Sequence, residues 1–158
     1  YYSLVGGYDR WIGNNDRAYL SFDTSSLAGK TVTAATIKVY ITLIAALDDY
    51  ETTRTINVYN LAWGTLGAGD WNGGSLVATY EETDLTVNTW HTITLSDMSI
   101  INTTGETQFE IACKADIDNT TLTDPKDLGN DGTRGGAGHV WSSGNASSNK
   151  PVLTVTAT

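Results

Sequence analysis

Oxygen-bearing side chains are concentrated in one irregular stretch, 116–138, of this 158-residue chain. Its carboxylates are Asp116, Asp118, Asp124, Asp127 and Asp131. Hard divalent cations take roughly six to eight oxygen ligands, so calcium is the metal that these residues predict. The spacing does not match an EF-hand loop, and a solvated acidic loop without metal is the alternative. No other cofactor is indicated, and none is required.

Indole rings are a second group of side chains that could bind a ligand. Exposed aromatic rings stack on the faces of sugars, while amide, carboxylate and guanidinium groups bind the hydroxyls. The candidates for carbohydrate binding are Trp63, Trp71, Trp90 and Trp141. Trp71, in the sequence GDWNGG, is the best placed to be exposed. Packing in the core is the alternative for each ring, and a row of rings on one face would favour the sugar.

Groups for catalysis are few. Acyl transfer needs a nucleophile, a base and an orienting group together, and the only histidines are His91 and His139. Glycoside hydrolysis needs two facing carboxylates, for which Glu81, Glu82, Glu106 and Glu110 are the candidates. The sequence contains no phosphate loop, no dinucleotide-binding signature and no zinc spacing of Cys and His. We therefore expect a protein that is not an enzyme.

The clearest elements that could position these groups lie between Asn15 and Ile44. Apolar and polar residues alternate there twice, and a side-chain period of two predicts strands with one buried face. The inward residues would be Ala18, Leu20 and Phe22 in the first strand, and Ala35, Ile37, Val39, Ile41 and Leu43 in the second. A turn, Asp23–Thr33, separates the two strands.

Shorter patterns complete the fold. Further strands are predicted at Tyr1–Val5, Thr55–Leu61, Leu76–Tyr80, Thr89–Leu95, Gln108–Lys114, Gly138–Ser142 and Pro151–Thr158. A turn is predicted at Tyr8–Asn15 and a single helical turn within Ser96–Gly105. Strands at irregular spacing, separated by long Gly-rich loops, predict an all-β, antiparallel two-sheet sandwich of jelly-roll type, with residues 1–158 as one domain.

Composition excludes several classes of function. The net charge is −9, and an acidic surface repels phosphate, so nucleic acid is not an expected partner. No run approaches the roughly 18 apolar residues that span a bilayer, so membrane insertion is not expected. The single cysteine, Cys113, permits no intrachain disulfide and is predicted to be a small buried apolar residue.

The order of motifs resembles that of DNRLRE-type β-sandwich domains. The sequence RAYLSFDTSSL, from Arg17 to Leu27, is followed by a strand with Ala35, Ile37, Val39 and Tyr40. Gly69-Asp70-Trp71, Trp90, the pattern from Gly105 to Phe109 and the ending KPVLTVTAT also resemble that family. The resemblance covers roughly Tyr8–Thr156. It implies an extracellular, non-catalytic module, on a cell surface or a virion, and some relatives bind polysaccharides such as alginate.

The chain departs from the family pattern at its N-terminus, where a short strand replaces longer leading strands. Residues 1–7 could therefore form an edge or a strand exchanged with an identical subunit, using Tyr1, Tyr2, Leu4 and Val5. Because the chain begins at Tyr1, we expect a processed chain or an excised domain. Glycosylation sequons occur at Asn102, Asn119 and Asn145, and chance occurrence in a Thr-rich chain is the alternative.

Two functions follow as expectations. The first is a structural or adhesive building block of an extracellular filament or a virion appendage, in which the chain associates with copies of itself. The alternative is a carbohydrate-binding module for a polysaccharide.

Overall fold

The structure is a computed structural model that describes residues 2–4, 11–13, 17–45, 55–64, 74–117, 138–142 and 144–158. Strands are the main regular element in this part of the chain: β1 (Tyr2–Leu4), β2 (Trp11–Gly13), β3 (Ala18–Asp23), β4 (Val32–Ala45), β5 (Thr55–Asn60), β6 (Ser75–Glu81), β7 (Trp90–Thr94), β8 (Glu106–Cys113), β9 (Gly138–Trp141) and β10 (Val152–Ala157). A four-residue helix, α1 (Lys114–Ile117), follows β8. No helix in the described ranges is long and apolar enough to cross a membrane.

The strands form two antiparallel four-stranded sheets and one small ribbon. The first sheet has the order β3-β8-β5-β6. The second sheet has the order β10-β4-β7, and β9 also pairs with β4. The ribbon consists of β1 and β2, paired from Tyr2 opposite Gly13 to Leu4 opposite Trp11. The prediction of an all-β antiparallel sandwich is confirmed, while the jelly-roll connectivity stays a prediction.

The second sheet is built around β4, the longest described strand. Its first part pairs with β10 on one edge and with β7 on the other. Its last part, from Ile41 to Ala45, pairs with β9. Ile41 exchanges hydrogen bonds with the segment before β7, whereas the carbonyl of the preceding Tyr40 accepts one from the N–H of Ser142. Neighbouring residues on a strand bond to opposite sides, so β9 and β10 follow one another along the same edge of β4.

The core lies between the two sheets and receives alternate side chains from each. Ile37, Val39 and Ile41 of β4 are fully buried against Val58 and Phe109 of the first sheet. The predicted inward face of the two leading strands is therefore confirmed over most of its length. Leu43 is the exception.

Leu43 was predicted to point inward with the other alternate residues of β4, but it is 54% exposed. The pairing of β4 with β9 shifts register between Ile41 and Leu43. A register irregularity of this kind changes the direction of the side chains that follow, so the alternation does not continue to the end of the strand.

Two local predictions differ from the structure. Trp11–Gly13, within the segment predicted as a turn, forms β2 and is hydrogen-bonded to β1. The segment between β7 and β8 contains two turns and no helix, and the first turn, closed by the N–H of Ile101 and the carbonyl of Met98, lies where a helical turn was expected. Short segments with few apolar residues have no periodicity long enough to distinguish these outcomes.

A buried hydroxyl pair joins the start of the β3–β4 connection to the turn before β8. The hydroxyl oxygens of Thr24 and Thr107 lie 2.8 Å apart, and Thr107 accepts a hydrogen bond from the N–H of Asn102. The hydroxyl of Thr24 lies 2.6 Å from the carbonyl oxygen of Asn102 and 2.8 Å from that of Gly105. Both hydroxyls are buried, so their hydrogen bonds replace water that cannot reach them.

We expect Thr24→Val to lower the free energy of unfolding by about 1–3 kcal/mol, because it leaves buried polar groups without their partner. Urea denaturation followed by tryptophan fluorescence measures the effect. The matched control is Thr33→Val, at an exposed hydroxyl that donates to the carbonyl of Thr156. The control should change stability by less than about 0.5 kcal/mol. Equal effects at the two positions would contradict the role given to the buried pair.

Candidate functional site

The outward side of the first sheet carries a set of polar and aromatic side chains, here called the polar face. It consists of Arg17, Tyr19, Asn57, Tyr59, Trp63, Gln108 and Glu110. Their positions follow from strand register, because Leu20, Val58, Phe109 and Ile111 point into the core and their sequence neighbours must point outward. Glu110 of β8 lies directly opposite Tyr19 on one neighbouring strand and Tyr59 on the other.

Glu110 and Arg17 form a buried ion pair at the centre of the polar face. The Nη1 atom of Arg17 donates to Oε1 of Glu110 at 2.7 Å, and the two side chains are 1% and 0% exposed. Removing two charges from water is expensive, and only a close, hydrogen-bonded partner offsets that cost. Arg17 directly precedes β3, so its side chain can reach a carboxylate on the adjacent strand β8.

One oxygen of this carboxylate is left without a partner. Oε2 of Glu110 is buried and accepts no hydrogen bond in the described part of the structure. A carboxylate has about four lone-pair sites, so a single bond to Arg17 leaves most of its capacity unused. An unsatisfied buried acceptor is costly, and any hydrogen-bond donor that reaches it is stabilised there.

Gln108 organises the polar face and has no remaining capacity for a ligand. Its Nε2 group donates to Ser21 and to Glu106 at 3.3 and 3.2 Å. Its Oε1 atom accepts from the backbone N–H groups of Trp63 at 3.0 Å and Gly64 at 3.4 Å. These bonds hold the segment after β5 against β8. Gln108 therefore positions Trp63 and is not itself a free binding group.

Asn57 retains one unassigned hydrogen. Its Nδ2 group donates to the hydroxyl of Tyr59 at 2.8 Å, and its Oδ1 atom accepts from Thr79 at 3.4 Å. The amide nitrogen carries two hydrogens, and one of them serves Tyr59. The phenol of Tyr59 is thereby fixed beside the carboxylate of Glu110.

Aromatic rings form the partly exposed part of the polar face. Tyr19 and Trp63 are each half-buried and meet edge to face, with ring centroids 5.3 Å apart and planes at 83°. Tyr59 is half-buried on the opposite side of Glu110. Glu110 lies between Tyr19 and Tyr59 in strand register, so the arrangement combines apolar ring surfaces with an acceptor between them.

Carboxylates dominate the charge of this sheet. Besides Glu110, outward positions are taken by Asp23, Glu81 and Glu106, and Asp23 lies directly opposite Glu106. Hydrogen bonds from the side chain and the N–H of Ser25 hold the pKa of Asp23 below its usual range. Among the described residues, Arg17, which directly precedes β3, is the cation that lies next to these carboxylates, and Glu110 engages it.

The three predicted carbohydrate-binding tryptophans within the described residues do not share a surface. Trp63 belongs to the polar face, whereas Trp90 is 43% exposed on the outward side of the second sheet, edge to face with Tyr40. Trp141 is half-buried and packs against the core. Trp71 lies outside the described residues. Trp63, Trp90 and Trp141 therefore do not form a row of rings on one face, which is the arrangement that would have favoured sugar binding.

The predicted calcium ligands cannot be placed against one another. Asp118, Asp124, Asp127 and Asp131 lie outside the described residues, and only the backbone of Asp116, in α1, is described. In the described ranges, no group of three or more His, Cys, Asp or Glu side chains could hold a metal ion. The calcium site stays a prediction.

The assembly strand and the glycosylation sites are described in part. Tyr2 and Leu4 belong to β1, whose strand partner is β2 of the same chain, while Tyr1 and Val5 lie outside the described residues. Strand exchange stays a prediction.

Two of the three sequon asparagines are exposed, Asn102 before β8 and Asn145 before β10. The side-chain oxygen of Asn102 accepts from the N–H and hydroxyl of Thr104, and its Nδ2 donates to the carbonyl of Glu106. Asn119 lies outside the described residues. Glycosylation stays a prediction at each site.

Glu110 was considered from the sequence as one member of a catalytic pair, but its role beside Arg17 was missed. The signal is present in the sequence FEIAC, where one charged residue interrupts an apolar strand. A buried charge requires an opposite charge, and Arg17 begins the strand that pairs with β8. Asn57, Tyr59 and Gln108 occupy outward positions too, but short polar strands give no indication of which neighbours they meet.

A second group of titratable side chains lies inside the fold. Tyr80 of β6 is buried, and its ring centroid lies 4.8 Å from that of His91 on β7. Glu82 is buried just after β6. Burial raises the pKa of the Tyr80 hydroxyl, and the negative charge of Glu82 raises this pKa further. His91 is half-buried.

We expect Arg17→Met to lower the free energy of unfolding by about 3–5 kcal/mol, because Glu110 would remain buried without its counter-charge. The double variant Arg17→Met/Glu110→Leu should recover most of that loss, since it removes both charges. Urea denaturation of the three proteins measures both quantities. If the double variant is as unstable as Arg17→Met, the lost stability comes from altered side-chain packing and not from the uncompensated charge of Glu110.

We expect stability to fall with pH above about 10, in part because of Tyr80. The folded state keeps the phenol proton to higher pH than the unfolded chain, so this contribution is complete below pH 10 and declines as the unfolded tyrosine ionises. Tyr80→Phe should make the decline between pH 9 and about 11 less steep. Urea midpoints measured across that pH range give the slope of stability against pH for the wild type and for Tyr80→Phe. Identical slopes for the two proteins would contradict the expectation.

The chain was compared with protein-family models, with curated proteins and with solved structures, and none of the three comparisons finds a match. The resemblance to DNRLRE-type domains therefore stays a prediction from the motifs.

Proposed function

We propose that this chain is a non-catalytic, extracellular polysaccharide-binding module whose binding surface is the polar face. The observation that carries the proposal is Oε2 of Glu110, a buried acceptor without a partner, flanked by Tyr19 and Tyr59. Sugar recognition uses this combination, because a pyranose offers an apolar face to a ring and hydroxyl donors at its edge.

The hydrogen bonds of Gln108 and Asn57 hold the aromatic residues in place, so the binding site is already formed before a ligand arrives. Gln108 fixes the backbone of Trp63, and Asn57 fixes the hydroxyl of Tyr59. Side chains that are already ordered lose little conformational freedom when a ligand arrives, and the affinity rises accordingly. The spare hydrogen of Asn57 and the free oxygen of Glu110 supply one donor and one acceptor.

The carboxylates are arranged for binding more than for hydrolysis. Glu106 and Glu110 share the outward side of β8 but are four residues apart, roughly 13 Å along a strand. Paired carboxylates of glycosidases are separated by about 5–9.5 Å. Glu110 is also engaged by Arg17 at 2.7 Å, so one of its two oxygens is already occupied.

The test is affinity electrophoresis of the full chain in gels that contain soluble polysaccharides of different backbones. The wild-type protein should be retarded by at least one of them. Tyr19→Ala and Trp63→Ala should each lower the affinity at least tenfold, because Tyr19 lies opposite Glu110 and Trp63 packs edge to face against Tyr19. Circular dichroism and urea denaturation confirm that each variant is folded.

Trp90→Ala is the matched control. It breaks a tyrosine–tryptophan pair of nearly the same geometry, with centroids 5.4 Å apart, on the outward side of the other sheet. Its affinity should equal that of the wild type. Loss of binding in Trp90→Ala but not in Trp63→Ala would place the site on the second sheet. No retardation by any polysaccharide would overturn the proposal.

A further inference from the structure

The charge of the polar face restricts which polysaccharide it can bind. Asp23 and Glu106 are exposed, Glu81 is half-buried and Glu110 is buried, all on the outward side of the first sheet. An acidic ligand would bring further negative charge against them. Like charges brought together at an interface exclude a partner, and a net charge of −9 acts in the same direction.

Arg17 does not reverse this preference. A guanidinium is the group that would bind the carboxylate of a uronic acid, through paired hydrogen bonds. The side chain of Arg17 is only 1% exposed and is held by Glu110 at 2.7 Å. To bind a ligand carboxylate, it would have to leave Glu110 as an uncompensated buried charge.

The acceptor itself also selects against acidic sugars. Oε2 of Glu110 can form a hydrogen bond only with a donor. A hydroxyl group supplies one, whereas an ionised carboxylate has acceptors alone. Replacing a hydroxymethyl group of the sugar by a carboxylate therefore removes a hydrogen-bond donor from the ligand. The same change adds a negative charge that the carboxylates of the protein repel.

From these three observations we infer that the ligand is an uncharged polysaccharide, and that uronate chains such as alginate are excluded. The inference rests on the proposed function and narrows its substrate class. It assigns the exposed carboxylates Asp23 and Glu106 a role in selectivity.

The experiment compares one polysaccharide in two forms. A neutral polysaccharide that retards the wild-type chain is oxidised at its primary hydroxyls to carboxylates, which keeps the backbone and adds the charge. Affinity is measured for both forms at low salt and at about 0.5 M NaCl, where exposed charges are screened. A chelator is present throughout, so that no divalent cation bridges the acidic groups.

The oxidised form should bind at least tenfold more weakly at low salt, and the difference should narrow at high salt. Equal or tighter binding of the oxidised form would overturn the inference but leave the proposed function standing. If no neutral polysaccharide binds but alginate or polygalacturonate does, the inference is likewise wrong. Absence of binding to every polysaccharide, neutral or acidic, would overturn both proposals.

A pair of charge variants tests the same inference from the side of the protein. Asp23→Asn should raise the affinity for the oxidised form and leave the affinity for the neutral form unchanged, because Asp23 is exposed and accepts a hydrogen bond from the N–H of Ser25. Asp97→Asn is the control, because it removes one exposed carboxylate from the loop between β7 and β8. If Asp97→Asn raises the affinity for the oxidised form as much as Asp23→Asn does, selectivity follows net charge and the inference about the polar face fails.

Discussion

The carboxylate of Glu110 occupies a fully buried position in the middle of a four-stranded sheet, and much of the outer surface of that sheet is arranged around it. The alternation of β8 requires it to point away from the core, between two tyrosines on the flanking strands. A buried charge in such a position requires a counter-charge, and Arg17 provides it. The polar face is thus a consequence of placing one charged residue at one register position.

The two sheets share a core but have different outer surfaces. The second sheet presents threonines, Lys38 and the Trp90–Tyr40 pair, and most of these side chains are exposed. The first sheet presents amides and carboxylates that are bonded to one another beneath half-buried rings. Both surfaces carry one tyrosine–tryptophan pair, so the aromatic residues alone do not identify a site. The buried acceptor and its ordered neighbours are what distinguish the polar face.

The strands were predictable because their core-facing residues follow the period of the backbone. Ile37, Val39 and Phe109 could be placed inward from the sequence alone, since burial of apolar surface is the strongest term that selects a register. Leu43 could not, because a register shift opposite β9 interrupts the period. That shift depends on a strand about a hundred residues away, and nothing in the local sequence around Leu43 reports it.

The candidate site was less predictable than the fold for a related reason. Among the tryptophans that the sequence predicts as sugar-binding residues, Trp63 and Trp90 lie on the outer surfaces of different sheets. The ring partners of Glu110 are tyrosines on neighbouring strands, and strand order cannot be read from a single short polar strand. Glu110 itself was recognisable as a charge inside an apolar run, but the sequence did not show that Arg17 pairs with it.

Burial of the ion pair also determines how binding and stability depend on each other. A ligand hydroxyl that bonds to Oε2 of Glu110 would satisfy an acceptor that the folded chain alone leaves unpaired. Part of the binding free energy would then come from relief of a cost already present in the free protein. A surface that gains its affinity in this way needs few direct contacts, and the rings around it can serve mainly to orient the sugar and exclude water.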